Sequence, residues 1–129
     1  MRKPFLSWGA LLGGLAVALG AFGAHGLKQV AGPGTVAVFQ TGVQYQMYHA
    51  LALLVTGLLL ERSPHRRLVA AGYCFLAGIG LFSGSLYLLT YLEVAGRSGL
   101  GVAGVITPVG GLFFLAGWLL LLLGLTRLN

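Results

Sequence analysis

The sequence predicts an all-α integral membrane protein, a four-helix antiparallel bundle with an extra amphipathic helix or helix extension between the first two spans. Hydrophobic residues make up 57% of the 129 positions and charged residues only 8%. A soluble domain of this size needs a more polar surface than that. Apolar stretches of about 20 residues, the length that crosses a bilayer, occur four times. We therefore expect a single transmembrane domain over residues 1–129.

The four predicted spans are separated by short segments in which glycine, proline or charged residues interrupt the apolar pattern. Short connections make sequential helices pack antiparallel. The N-terminal stretch is similar to a secretory signal, but we interpret it as an uncleaved first membrane helix. The predicted spans are 5–24, 43–60, 68–90 and 105–125, with connections at 26–41, 61–67 and 93–98.

The segment 35–47 is too polar for a free span, yet it has helical order. At about 100° per residue, its apolar side chains share one helical face, while a threonine and the polar aromatic side chains in and just after the segment share another. We expect a helix that runs along the outer interface or extends the second span outward. The apolar face consists of Val36, Phe39, Val43 and Met47, and the other face of Thr41, Tyr45, Tyr48 and His49.

The basic residues indicate the orientation of the chain, because cytoplasmic loops of membrane proteins carry an excess of Lys and Arg. Lys28 and Arg97 fall on one predicted side of the membrane. We expect both termini to be cytoplasmic, in a bacterial cytoplasmic (inner) membrane. The residues on the cytoplasmic side are Arg2, Lys3, Arg62, Arg66, Arg67 and Arg127.

His49 is the strongest functional clue, because it is a titratable side chain within an apolar segment. Ionisable groups at membrane depth are costly and usually need a partner or a cavity. One interpretation is packing, with His49 hydrogen-bonded to a neighbouring helix. The other is that His25 and His49 line one polar pocket with Tyr45 near the outer face. If the second span begins at Val43, His49 lies roughly 9 Å from its outer end.

Ligand-binding candidates are therefore His25, Tyr45, Gln46 and His49. We predict no catalytic residue, no metal site and no cofactor, and the chain is not expected to be an enzyme. Asp is absent, and Glu61 and Glu93 fall in predicted loops, so no membrane carboxylate is available for a proton relay. The sequence also lacks an HExxH motif and a glycine-rich phosphate loop. The single cysteine, Cys74, excludes an intramolecular disulfide.

Small residues predict where helices approach each other. Gly72, Leu76, Gly80 and Gly84 are spaced four residues apart in the third span, and the last two form a GxxxG pair. We expect Gly80 and Gly84 to face another helix of the same chain. Pro108 is expected in the first turn of the fourth helix.

Four motifs occur in order along the chain, one in or beside each predicted span. They are GAFGAHGL at 20–27, then Phe39, Thr41-Gly42, Tyr45-Gln46 and the run 48–53, then the run 82–87, then the run 107–111 with Gly117-Trp118. Together they resemble the family of small inner-membrane proteins that includes YgdD and YwdK, itself a domain of unknown function. The resemblance covers nearly the whole chain and implies a four-helix membrane protein without an assigned activity.

Three functions are compatible with these observations. We favour a structural or accessory helical bundle that stabilises a larger complex or binds lipid. The alternative is a binding module for a quinone, lipid or other amphipathic small molecule, in an outer-side pocket near His25 and His49. The third is a haem or copper site built on the same two histidines. Expected partners are membrane lipids, and other membrane-protein subunits or a second copy. The net charge of +6 suits anionic headgroups and not nucleic acid.

Overall fold

The computed structural model describes residues 2–97 and 100–128, and the described chain is helical almost throughout. Four of its helical segments are long and apolar enough to cross a membrane, which confirms the predicted fold class. Ser98, the last residue of the predicted third connection, lies outside the described residues. In chain order the elements are α1 (Arg2–Ala24), a 3-10 turn (Leu27–Gln29), α2 (Pro33–Arg62), α3 (Arg66–Gly78), a π segment (Ile79–Ser83), α4 (Gly84–Val94) and α5 (Leu100–Leu125).

Helix α2 is longer than the predicted second span because Gly32 and Pro33 set its start. Gly32 is the N-cap and Pro33 occupies the first turn, where the missing N–H costs no helical hydrogen bond. The polar segment 35–47 continues this helix, so the outward extension is the correct alternative. His49 consequently lies roughly 24 Å along the axis from Pro33. This extension leaves His49 roughly 9 Å along the axis from Val43, as a separation of six residues requires.

Helix α2 is also the centre of the bundle. It packs on α1, α3, the π segment and α4, while α5 packs on α3, the π segment and α4. The buried positions of α2 recur every three or four residues from Phe39 to Leu60, as expected for a helix with one face against its neighbours. One apolar cluster joins all four spans and includes Phe5, Leu53, Phe75 and Phe114.

The predicted packing role of Gly80 and Gly84 is wrong. A Cβ atom added at either position would meet no other atom within 4 Å. The buried face of this span passes through Phe75, Ile79 and Ser83, one residue away from the glycine stripe. Close approaches occur elsewhere: Gly72 at the Phe5 ring, Gly78 at the Phe114 ring, Gly110 at the Phe82 backbone and Gly117 at the Phe75 ring.

Pro108 lies inside α5 and not in its first turn, because α5 already begins at Leu100. A proline at an internal position removes one N–H from the helical ladder. The adjacent Thr107 hydroxyl donates to the Ala103 carbonyl at 2.9 Å and lies within hydrogen-bond distance of Ser85 in α4. These contacts hold α5 against α4 beside the proline, whereas the carbonyl that loses its helical donor is that of Gly104, four residues before Pro108.

Candidate functional site

His49 is buried, with 3% of its surface exposed, and both of its ring nitrogens are hydrogen-bonded within the protein. Nδ1 lies 2.7 Å from the Tyr45 carbonyl oxygen, and the Trp118 indole N–H donates to Nε2 across 3.0 Å. Because a carbonyl only accepts and an indole N–H only donates, the ring carries its proton on Nδ1 and leaves Nε2 as the acceptor. His49 is therefore a neutral imidazole with neither nitrogen free.

Aromatic rings surround the imidazole. Phe114 of α5 stacks on it with 3.5 Å between ring centroids and 8° between ring planes. Phe75 of α3 and Trp118 of α5 lie beside it, at centroid distances of 5.7 and 5.8 Å. These contacts join α2 to α3 and α5. Together with the hydrogen bond from Trp118 of α5, they give His49 the neighbouring-helix partner that the packing interpretation predicts.

A groove of about 750 Å³ lies beside His49, between α2 and α5, and its walls are almost wholly apolar. Among its polar groups are the hydroxyls of Tyr45 and Tyr48, which have no hydrogen-bond partner among the described residues. The lining residues are Tyr45, Tyr48, His49, Leu51, Phe82, Pro108, Gly111, Leu112, Phe114, Leu115 and Trp118.

The groove forms because α5 reaches α2 through aromatic side chains, while its backbone packs on α3, the π segment and α4. Gly111 and Pro108 leave space on the α5 wall. Tyr48 lies at the middle of the 30-residue helix α2 and is 54% exposed, and Leu115 on the opposite wall is 68% exposed. The groove therefore opens on the outer surface of the bundle, near the middle of α2.

Gln46, a predicted ligand-binding residue, does not line this groove. It is buried, and both ends of its carboxamide connect helices: Nε2 donates to the Leu12 carbonyl of α1 at 2.8 Å, and Oε1 accepts from the Tyr87 hydroxyl of α4 at 2.6 Å. A second glutamine contact, from Gln40 to the Gly20 carbonyl at 3.1 Å, also holds α1 against α2. Gln46 thus links three helices.

His25 is exposed in the turn after α1 and lies far from His49. The two glutamine contacts determine the antiparallel register of α1 on α2. In this register His25 is level with the first turn of α2, roughly 20 Å along the bundle from His49. The expected pocket shared by the two histidines is therefore wrong, and they are too far apart to bind one haem iron or copper ion. The error follows from starting the second span at Val43.

Two residues of the site, Phe114 and Trp118, were not assigned to it from the sequence. Trp118 belongs to the Gly117-Trp118 motif, which was the available signal. Phe114 is one apolar residue among many in α5, and its sequence context does not distinguish it. Both become important because α5 places them against an imidazole 65 or more residues away in the chain.

Comparison with known proteins gives one family. A family described as "Protein of unknown function (DUF423)" matches residues 19–111, a segment that includes His49. The UPF0382 membrane protein YwdK of Bacillus subtilis is 41% identical over 97% of this chain and 98% of its own length. The UPF0382 inner membrane protein YgdD of Escherichia coli is 41% identical over 96% of this chain and 90% of its own length. No solved structure matches.

Proposed function

The chain belongs to the DUF423 family, whose function is unknown, and from its groove we propose that it is a non-catalytic membrane bundle that holds the apolar part of a membrane lipid. The observation that carries this is the arrangement at His49. Both ring nitrogens of His49 are hydrogen-bonded within the protein, and the ring forms part of the wall of an apolar groove of about 750 Å³. A groove of this size and chemistry suits hydrocarbon.

The non-catalytic part of the proposal rests on the groups that face the groove. Acid–base catalysis needs a side chain free to exchange a proton with the reacting atom. His49 is not free, and the acidic residues Glu61 and Glu93 lie near the ends of α2 and α4. Tyrosine hydroxyls remain, and they suit hydrogen bonding to a bound molecule. The names of the relatives YwdK and YgdD state no activity.

We propose membrane lipids as the principal partners, with the chain in the bacterial cytoplasmic membrane. A further partner, either another membrane subunit or a second copy, is supported by Gln44. This side chain is exposed near the middle of α2 and has no hydrogen-bond partner among the described residues. A carboxamide in hydrocarbon gains from a neighbouring helix that offers a polar group.

Both termini are proposed to be cytoplasmic, on the excess of Lys and Arg on that side. Cysteine labelling tests this orientation in a Cys74→Ala background. We expect a membrane-impermeant maleimide added to intact cells to label an Arg97→Cys variant and to leave an Arg66→Cys variant unlabelled. The reverse pattern would mean that the chain has the opposite orientation.

The groove is tested by filling it. Gly111 lines the groove, and a Cβ there would meet its nearest neighbour, Phe82 Cδ2, at 3.9 Å, so a Gly111→Phe side chain has room to enter the space. Gly104→Phe is the matched control on the same helix, since nothing lies within 4 Å of a Cβ there. In native mass spectrometry of gently extracted protein, we expect the wild type and Gly104→Phe to retain one lipid that Gly111→Phe loses. Absence of bound lipid from the wild type, or equal retention by all three, would refute the proposal.

An amphipathic molecule with a hydrogen-bond acceptor, such as a quinone, is the second candidate occupant. The supporting observation is the pair of unpartnered hydroxyls of Tyr45 and Tyr48, because a phenol in hydrocarbon gains from an acceptor. The mass of the retained molecule distinguishes the candidates. A double Tyr45→Phe, Tyr48→Phe variant should release an acceptor-bearing molecule, while a hydrocarbon chain should remain bound.

A further inference from the structure

A second cavity, of about 380 Å³, lies where α2 ends and α3 begins, at the opposite end of the bundle from His25. It is separate from the groove and shares no lining residue with it. Its walls are formed by three arginines and one histidine, which come from the N-cap and first turn of α3 and from the segment after α5. The lining residues are His65, Arg66, Arg67 and Arg127.

The packing of α3 on α5 brings these two segments together. Leu68 is fully buried in the first turn of α3 and lies against Gly124 of α5, where an added Cβ would come within 2.7 Å of Leu68 Cδ2. Leu128 packs on the same apolar cluster. Arg67 directly precedes Leu68, and Arg127 lies between Gly124 and Leu128. The apolar core therefore holds the two segments that carry the arginines next to each other.

The charged residues that line this cavity are all basic. Neither of the two acidic residues of the chain, Glu61 and Glu93, lines it. The N-terminus of the 13-residue helix α3 adds its own partial positive charge, and His65 caps it with Nδ1 accepting from the Arg67 backbone N–H at 3.1 Å. Like charges gathered in one cavity repel each other, and an anion bound among them relieves this repulsion.

We propose that this cavity binds the phosphate of an anionic phospholipid headgroup. Arginine forks match phosphate oxygens in a bidentate geometry, and basic pockets between membrane helices bind anionic headgroups. The position favours a lipid over a soluble phosphate, because the cavity lies at the ends of two spans, level with the headgroup layer. Its walls come from two separate segments, so it is a specific site and more than a general excess of basic residues.

The test measures phosphatidylglycerol binding to the purified full chain in neutral detergent, by native mass spectrometry and by the shift in melting temperature. Phosphatidylcholine and inorganic phosphate are the comparison ligands. We expect phosphatidylglycerol to bind and to raise the melting temperature more than phosphatidylcholine does. Arg66→Gln, Arg67→Gln and Arg127→Gln should each weaken its binding roughly fivefold. Arg97→Gln is the matched control, because it removes the same charge at the other end of the bundle.

The outcomes separate the alternatives. If Arg97→Gln weakens binding as much as Arg127→Gln does, binding follows net charge and the site does not exist. If inorganic phosphate at equal concentration stabilises the protein as well as phosphatidylglycerol does, the lipid assignment is wrong. Since Arg127 is exposed beyond the end of α5 and its removal relieves repulsion between like charges, its replacement should not lower the unliganded melting temperature, which keeps the binding measurement interpretable. If Gly111→Phe does not change lipid retention, the proposed function of the groove fails, but the proposal for the arginine cavity still stands because the two share no lining residue.

Discussion

Replacing Gly110 with alanine is expected to lower the free energy of unfolding by about 1–3 kcal/mol, although the change adds a single methyl group. Gly110 is buried in α5, and a Cβ there would lie 2.8 Å from the Phe82 Cα and closer still to the Phe82 backbone nitrogen. A side chain in the way can rotate, but these are backbone atoms of the π segment. Helix α5 must therefore move away from the π segment to make room for the methyl group. The better helix propensity of alanine, about 1 kcal/mol at most, offsets only part of this loss.

The neighbouring glycine supplies the control for this change. At Gly111 an added Cβ would meet its nearest neighbour, Phe82 Cδ2, at 3.9 Å, an ordinary van der Waals distance. Gly111→Ala should therefore be neutral or slightly stabilising. Thermal unfolding of both variants in the same detergent gives the comparison. Equal melting temperatures for Gly110→Ala and Gly111→Ala would show that α5 does not approach the π segment this closely.

Removing the indole donor at position 118 is the second large change. Trp118→Phe keeps an aromatic ring but leaves His49 Nε2 as an acceptor without its donor, at a site that excludes water. We expect a loss of about 1–2 kcal/mol in the free energy of unfolding. Trp8→Phe on α1 is the control: Trp8 is 49% exposed, similar to 46% for Trp118, and has no hydrogen bond among the described residues.

A double-mutant cycle with His49→Leu separates the hydrogen bond from general packing. His49→Leu alone should be more destabilising than Trp118→Phe, because it also removes the donor to the Tyr45 carbonyl and the ring stacked on Phe114. If Trp118 acts through its bond to His49, the double variant should lose less than the sum of the two, by about 0.5–1.7 kcal/mol. Strict additivity in the cycle would mean that the two side chains are not energetically coupled.

The error at His25 has a particular physical cause. The sequence contains the signal for the start of α2, since Gly32-Pro33 is a typical helix N-terminus, but the glutamines after it reduce the hydropathy below that of a free span. In the bundle two of these glutamines have partners: Gln40 and Gln46 donate to carbonyl groups of α1. Hydropathy counts a polar side chain as a cost because it does not include the partner that satisfies it.

The same limitation applies to Gly80 and Gly84, whose spacing is typical of a packed face although both lie away from neighbouring helices. A repeat along one helix shows which residues share a face, and it does not show which way that face points. Rotation about the helix axis is decided by the other helices. In the third span the buried face passes through Phe75, Ile79 and Ser83, one residue away from the glycine stripe.

By itself, the sequence determined that this protein has four membrane spans and which family it resembles. Span length is a requirement in one dimension, since a run of apolar residues either matches the hydrocarbon thickness or does not. Only the tertiary structure decided that His49 meets Trp118 and Phe114, that His25 lies at another level, and that three arginines converge on one cavity. Such contacts depend on the register and rotation of helices far apart in the chain, which are determined by the packing of all the side chains together.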